Sequence, residues 1–190
     1  MSKTKLLTKI QASSRKASAL SKIIAIICII GIVVIFFAVG TEFIRGKELT
    51  SPVGNDEGFF VEVDDVEITN LGNMIVALAE VISELAILCI GAFTATKIFN
   101  AIAEDGIPFK NENSKRLKFI GELIIIDSFA PSIISATVGA LMAVFSKSEF
   151  NWSVTMNVDL GIVVIGMFFL LLTNIFSYGA KIQQENDDMV

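Results

Sequence analysis

The chain has 190 residues, 53% of them hydrophobic, with a formal net charge of −5 and no histidine. A mean hydropathy of +0.70 with only 18% charged residues is too apolar for an ordinary soluble domain, and the acidic balance argues against direct nucleic-acid binding. The missing histidine removes most familiar metal and acid–base chemistry, so no metal site and no cofactor is expected.

The apolar residues predict an all-α membrane protein with four transmembrane helices in one bundle, over residues 22–40, 73–98, 117–146 and 158–178, with both termini cytoplasmic. At about 1.5 Å per residue each can cross a hydrocarbon core of about 30 Å, and a helix satisfies its own backbone hydrogen bonds there. Unbroken hydrophobicity, rather than strict alternation, argues against a β-barrel.

Residues 1–21 read as a basic tail in which Lys3, Lys5, Lys9, Arg15 and Lys16 hold the N-terminus in the cytoplasm. Its apolar positions Leu6, Leu7, Ile10, Ala17 and Leu20 leave an amphipathic helix on the inner leaflet as the alternative. The basic start, the apolar run and Ala38-Val39-Gly40 imitate a secretory signal, but the run exceeds the roughly 7–15 residues of a signal core, so the first helix is expected to be retained. Cys28 and Cys89 lie within apolar spans without CxxC spacing and read as small packing residues.

Residues 41–72 form an acidic outer loop that includes Glu42, Glu48, Asp56, Glu57, Glu62, Asp64, Asp65 and Glu67. Phe60, Glu62 and Asp64 alternate with Val61 and Val63 at strand period, which predicts a short strand or hairpin. The spacing of a calcium-binding EF-hand loop is absent, so a solvated acidic loop is the better reading.

The second span carries Glu80 and Glu84, one helical turn apart on a face that continues through Ile87, Gly91 and Ala95. A charged side chain at mid-membrane costs roughly 2.5–3.5 kcal/mol on insertion scales, so this face is expected to point into the bundle. Residues 99–116 then form a cytoplasmic loop. Gly106 ends the second helix, Pro108 prevents its resumption, Asn113 or Ser114 caps the third, and Lys115, Arg116 and Lys118 set topology or meet lipid phosphates.

The third span holds Asp127, with Glu122 near its cytoplasmic end, and a kink is expected at Pro131 because proline removes the donor to the Asp127 carbonyl. Ser128, Ser132, Ser135 and Gly139 recur at three- and four-residue spacing, a stripe of small side chains suited to close helix contact. A short second outer loop follows, in which Trp152 reads as an interface anchor and Asn151-Trp152-Ser153 is a formal glycosylation sequon. On the fourth span Thr173, Asn174 and Ser177 are the nearest hydrogen-bond donors by composition, so Glu80, Glu84, Asp127 and Asn174 are expected to form an intramembrane polar cluster. Residues 179–190 complete the chain as a cytoplasmic tail.

The segment "EDGIPFKNENSKRLKFIG" and the C-terminal "IFSYGAKIQQENDDMV" carry a resemblance. The Gly106-Ile107-Pro108-Phe109 turn leading into Lys115-Arg116-Leu117, with Tyr178-Gly179-Ala180 and Gln184-Glu185, resembles a family of bacterial four-helix membrane proteins known as domain of unknown function 2975. Ser177 stands where a basic residue is common in that pattern. The resemblance implies a bacterial inner-membrane protein whose relatives are often encoded beside a small helix-turn-helix regulator, and it brings no catalytic residues with it.

Three functions follow as expectations. The first is a non-enzymatic membrane partner or sensor that docks a small cytoplasmic transcription regulator, because the polar segments are too short to build a core of their own. The second is a cation or proton transport component using the acidic residues of the second and third spans. The third is an immunity or envelope-stress factor. An enzyme is not expected, since no nucleophile elbow, phosphate-cradling glycine loop or metal-ligand spacing is present. The bilayer is the obligate partner, and a homo-oligomer formed through the small-residue stripe is the other expectation.

Overall fold

The structure, a computed structural model, describes residues 3–44, 71–145 and 158–188. Among these every regular element is helical: α1 (Lys3–Ile44), α2 (Leu71–Asp105), α3 (Asn111–Asp127), α4 (Ala130–Phe145) and α5 (Leu160–Asp187). Helices α1, α2 and α5 are each long and apolar enough to cross a membrane, and α3 with α4 makes a fourth span if the bent pair counts as one. The alternating segment at residues 60–64, most of the acidic loop, and Asn151 to Ser153 lie outside the described residues.

The helices are longer than the apolar blocks, and this corrects the expected boundaries. Residues 3–21 are not a separate tail: they are the start of α1, whose 42 residues extend about 60 Å, twice the thickness of a bilayer core. Helix α2 runs seven residues beyond the expected end of its span, from Ile98 to Asp105. The loop expected over 99–116 therefore shrinks to Gly106–Lys110, and residues 179–187 continue α5 rather than forming a tail. Polar residues extend these helices because a backbone already hydrogen-bonded over several turns propagates at little cost, one bond per residue fixed.

The third span differs more. A kink at Pro131 was the expectation, but the helix stops before it, with a turn at Ser128–Phe129 and a new helix from Ala130. Ser128 is the C-cap of α3, and its hydroxyl donates to the Ile125 carbonyl at 2.7 Å. Pro131 sits in the first turn of α4, where its missing N–H has no helix partner to lose, and the Ile133 N–H makes the bond to Phe129 at 3.1 Å.

The chain divides into two compact units: Met1–Ile29, Ala86–Ser128 and Asp159–Val190 in the first, Ile30–Leu85 and Phe129–Val158 in the second. Among the described residues of both, most buried hydrophobic side chains are small, with Val76, Ile98 and Ile102 the larger exceptions, and many large ones are exposed. Ala25, Cys28, Cys89, Ala92 and Ala103 are buried in the first unit and Ala77 in the second, whereas Phe37 is 74% exposed and Ile27 61%. That inversion suits a lipid environment, where hydrocarbon solvates Ile and Phe and helices gain from close backbone approach.

Candidate functional site

In the first unit, α1 and α2 meet along an antiparallel seam of small side chains. Ser14, Ser18, Ser21, Ala25 and Cys28 are all buried, and their three- and four-residue spacing keeps them on one face of α1. Opposite them are Cys89, Ala92 and Thr96 of α2. The Ser18 hydroxyl donates to Asn100 Oδ1 at 2.5 Å, Cys89 Sγ approaches the Ala25 carbonyl at 3.8 Å, and Gln11 Nε2 donates to the Glu104 carbonyl at 3.3 Å. The expected amphipathic face was a different one, since Leu6 and Leu20 are exposed.

Helices α3 and α5 pack through glycine. A side chain at Gly166 would place its Cβ 2.5 Å from Ile125 Cγ1 and 3.1 Å from the Gly121 carbonyl oxygen, and one at Gly121 would lie 3.2 Å from the Gly166 carbonyl oxygen. Backbone therefore faces backbone, with no room for a methyl group. Helix α5 begins just before this contact at Asp159, whose carboxylate accepts from the Gly161 and Ile162 N–H groups.

The Gly106–Lys110 turn joins these pairs. Gly106 takes φ +69°, a left-handed conformation that closes α2, and its N–H donates to the Ile102 carbonyl at 2.8 Å. Its α-carbon faces Leu7 and Gln11 of α1. Three residues on, the Phe109 ring lies 5.1 Å from that of Phe176, tilted by 56°, and covers Gly179 so closely that a Cβ there would be 2.8 Å from the ring. Lys110, not Asn113 or Ser114, is the N-cap of α3, and it offers no side-chain cap. Asn113 instead donates back to the Pro108 carbonyl, while Arg116 donates to Asn113 Oδ1 and to the Lys97 carbonyl of α2. Arg116 is thereby occupied with internal hydrogen bonds, Lys110 pairs with Asp105, Lys118 pairs with Glu122, and Lys115 is exposed.

Beside this turn lies a groove of about 460 Å³, lined on α3 by Asn113, Leu117, Ile120, Ile124 and Asp127, which share one helix face. Ile87, Gly91 and Ala95 of α2 line it as well. Among the described residues that line it, only Ser21, Asn113 and Asp127 are polar. Asp127 Oδ1 is buried and has no hydrogen-bond partner among the described residues.

The four residues of the expected intramembrane cluster differ in exposure. Glu84 and Asn174 are exposed, while Glu80 and Asp127 are half-buried. Glu84 keeps the angular position of Gly91 and Ala95, seven and eleven residues further along α2, and yet is exposed. Glu80 and Glu84 belong to the second unit, Asp127 and Asn174 to the first. Of the small-residue stripe, Ser128 lies in the first unit, and Ser132, Ser135 and Gly139 lie on α4 in the second with Pro131. Ser132 and Gly139 are buried and Ser135 is half-buried.

The two stretches that pack against each other at Phe109 and Gly179 are those whose residues form a recognisable pattern in the sequence. The family described as Protein of unknown function (DUF2975) matches residues 5–190. The chain belongs to this family. No curated protein and no solved structure matches it. The Gly106–Lys110 turn and the Tyr178-Gly179-Ala180 segment are thus the two halves of one clasp in this DUF2975 protein, and α1 approaches it through Leu7 and Gln11.

Proposed function

We propose that this DUF2975 protein is a non-enzymatic partner protein of the bacterial inner membrane. Both termini and the Gly106–Lys110 turn face the cytoplasm, and there it docks a small helix-turn-helix regulator. The observation that supports this reading is the fixed helical end around the clasp. Residues 3–22 of α1 rise about 30 Å beyond the apolar run, with Lys5, Lys9, Arg15, Lys16 and Lys22 exposed along them. One face of that extension is held by Ser14, Ser18 and Gln11 against α2, so the basic side chains are presented on a rigid rod rather than a loose tail. Pre-ordered charge favours docking because little conformational entropy is lost on binding, and basic residues suit an acidic partner surface. With Glu84 and Asn174 on exposed faces, a carboxylate path for cations has less behind it than this surface.

The test is a photo-crosslinking amino acid at Lys9 or Lys16, introduced into the full chain in cells that also express the proposed helix-turn-helix regulator. The reading expects an adduct with that regulator, lost when Lys5, Arg15 and Lys22 are replaced by glutamate. Adducts with lipid or with a second copy alone would overturn it.

A further inference from the structure

The groove beside the clasp is apolar along nearly all its length, yet it ends on a carboxyl group whose buried Oδ1 meets no donor among the described residues. Such a group is costly in a low-dielectric setting unless something pairs with it. Among the described residues no lysine or arginine lines the groove, so a ligand that carries a cation would supply the missing partner. The volume of about 460 Å³ is within the range of small-molecule sites, about 300–1,000 Å³. From Asn113 to Asp127 the lined face of α3 extends about 20 Å, the length of an extended chain rather than of a compact solute.

A second observation concerns Gly91. It lies on the groove wall in mid-helix, and a Cβ added there meets nothing within 4 Å. Glycine in a helix interior costs about 0.5–1 kcal/mol relative to alanine, and at Gly121 and Gly166 close packing explains it. At Gly91 packing does not. The missing side chain keeps the groove wide next to Ala92 and Ala95, which are the smallest residues that still leave a wall.

We infer that the groove is a binding site for a cationic amphiphile, with its single ammonium group on Asp127 and its hydrocarbon body along α2 and α3 toward Asn113. The ammonium supplies the donor that Oδ1 lacks and neutralises the carboxylate away from water. The chain replaces contacts between the groove wall and lipid with close packing against Ile87, Ile120 and Ile124. The site is independent of the docking surface on α1, so either can fail without the other.

The experiment uses the full-length protein in nanodiscs and three photoreactive diazirine probes with the same dodecyl chain: an ammonium, an alcohol and a carboxylic acid. The ammonium probe is expected to label peptides from residues 87–102 and 117–127 about tenfold more than the alcohol or acid, the ratio that corresponds to about 1.4 kcal/mol for one charge-assisted contact. Asp127→Asn, which keeps the shape, is expected to bring ammonium labelling down to the level of the alcohol. Gly91→Leu is expected to abolish labelling by all three, while the melting temperature of each variant reports folding. Equal labelling by the three probes, or ammonium labelling unchanged in Asp127→Asn, overturns the proposal and leaves a groove that takes acyl chains without regard to head group. If Asp127→Asn fails to fold, the wild-type ratio of ammonium to alcohol labelling decides alone.

Discussion

Gly166 and Gly121 set the distance between α3 and α5, because each places a hydrogen atom where any other residue would place carbon. Replacing Gly166 by alanine puts a methyl group 2.5 Å from Ile125 Cγ1 and about as close to backbone as hard-sphere contact allows, with the Gly121 oxygen at 3.1 Å and the Ile125 nitrogen at 3.2 Å. The Ile125 side chain can turn away, but the backbone atoms cannot. The helices must separate, and Gly166→Ala is expected to destabilise the protein by about 1–3 kcal/mol, the usual cost of overpacking. Gly91→Ala is the matched control: its methyl group enters open space, so helix propensity alone should leave the protein unchanged or stabilise it by up to about 1 kcal/mol. Thermal unfolding of both variants in one detergent reads the difference. An equal effect of the two would show that the α3–α5 contact is not set by glycine. At Gly106 the argument is conformational instead, since φ +69° is strained for any residue with a Cβ, and Gly106→Ala should cost about 1–2 kcal/mol by the same measurement.

Helix α1 has one sequence but two surroundings along its length. Its seam residues Ser14, Ser18, Ser21, Ala25 and Cys28 recur at heptad-like intervals, and the pattern passes without interruption from the basic segment into the apolar one. That continuity is why the segment before Ile23 is a packed helix. Ala25 is 0% exposed, whereas its neighbour Ile27 is 61% exposed. Ala25→Leu should therefore force α1 from α2 and cost about 1–3 kcal/mol, while Ile27→Leu should lie within about 0.5 kcal/mol of the parent. Urea or thermal unfolding in detergent distinguishes them, and loss of stability in the Ile27 variant instead would place the seam on the wrong face. Arg116 acts between elements in a similar way, tying α3 to the Lys97 carbonyl of α2. Both bonds are donated by Nη1 at the far end of the guanidinium, which the shorter lysine side chain does not reach, so Arg116→Lys should loosen the turn and raise proteolysis near Gly106.

Over the molecule as a whole, the charge distribution is the basis of the proposed orientation. Lysine and arginine crowd the N-terminal part of α1 and the start of α3, whereas the segment between α1 and α2 is acidic. With Cys28 and Cys89 replaced by alanine, a single cysteine introduced as Lys115→Cys should react with a membrane-impermeant maleimide only after intact cells are opened. A cysteine introduced as Glu57→Cys should react at once. The reverse pattern would invert the protein and remove the cytoplasmic docking surface with it. Because both native thiols are buried in the first unit, their replacement by a residue of similar size should leave that background folded.

Amino-acid order alone determined the membrane class, the helical content and the family. These follow from local quantities: the length of each apolar run against the bilayer, and residue types at short spacing, as in Gly106-Ile107-Pro108-Phe109. Helix ends were less legible, because α1, α2 and α5 continue through polar residues that are held by contacts with distant parts of the chain, such as Gln11 on Glu104. The facing of side chains was least legible. A carboxylate in an apolar run looks alike whether it points inward or outward, and only packing put Glu84 on an exposed face and Asp127 at the end of a groove. The Phe109–Gly179 contact joins residues 70 positions apart, and the fit of Gly121 to Gly166 depends on two helices meeting in one register. Such fits are properties of pairs of surfaces, and hydropathy, which is summed along one strand of residues at a time, has no term for them.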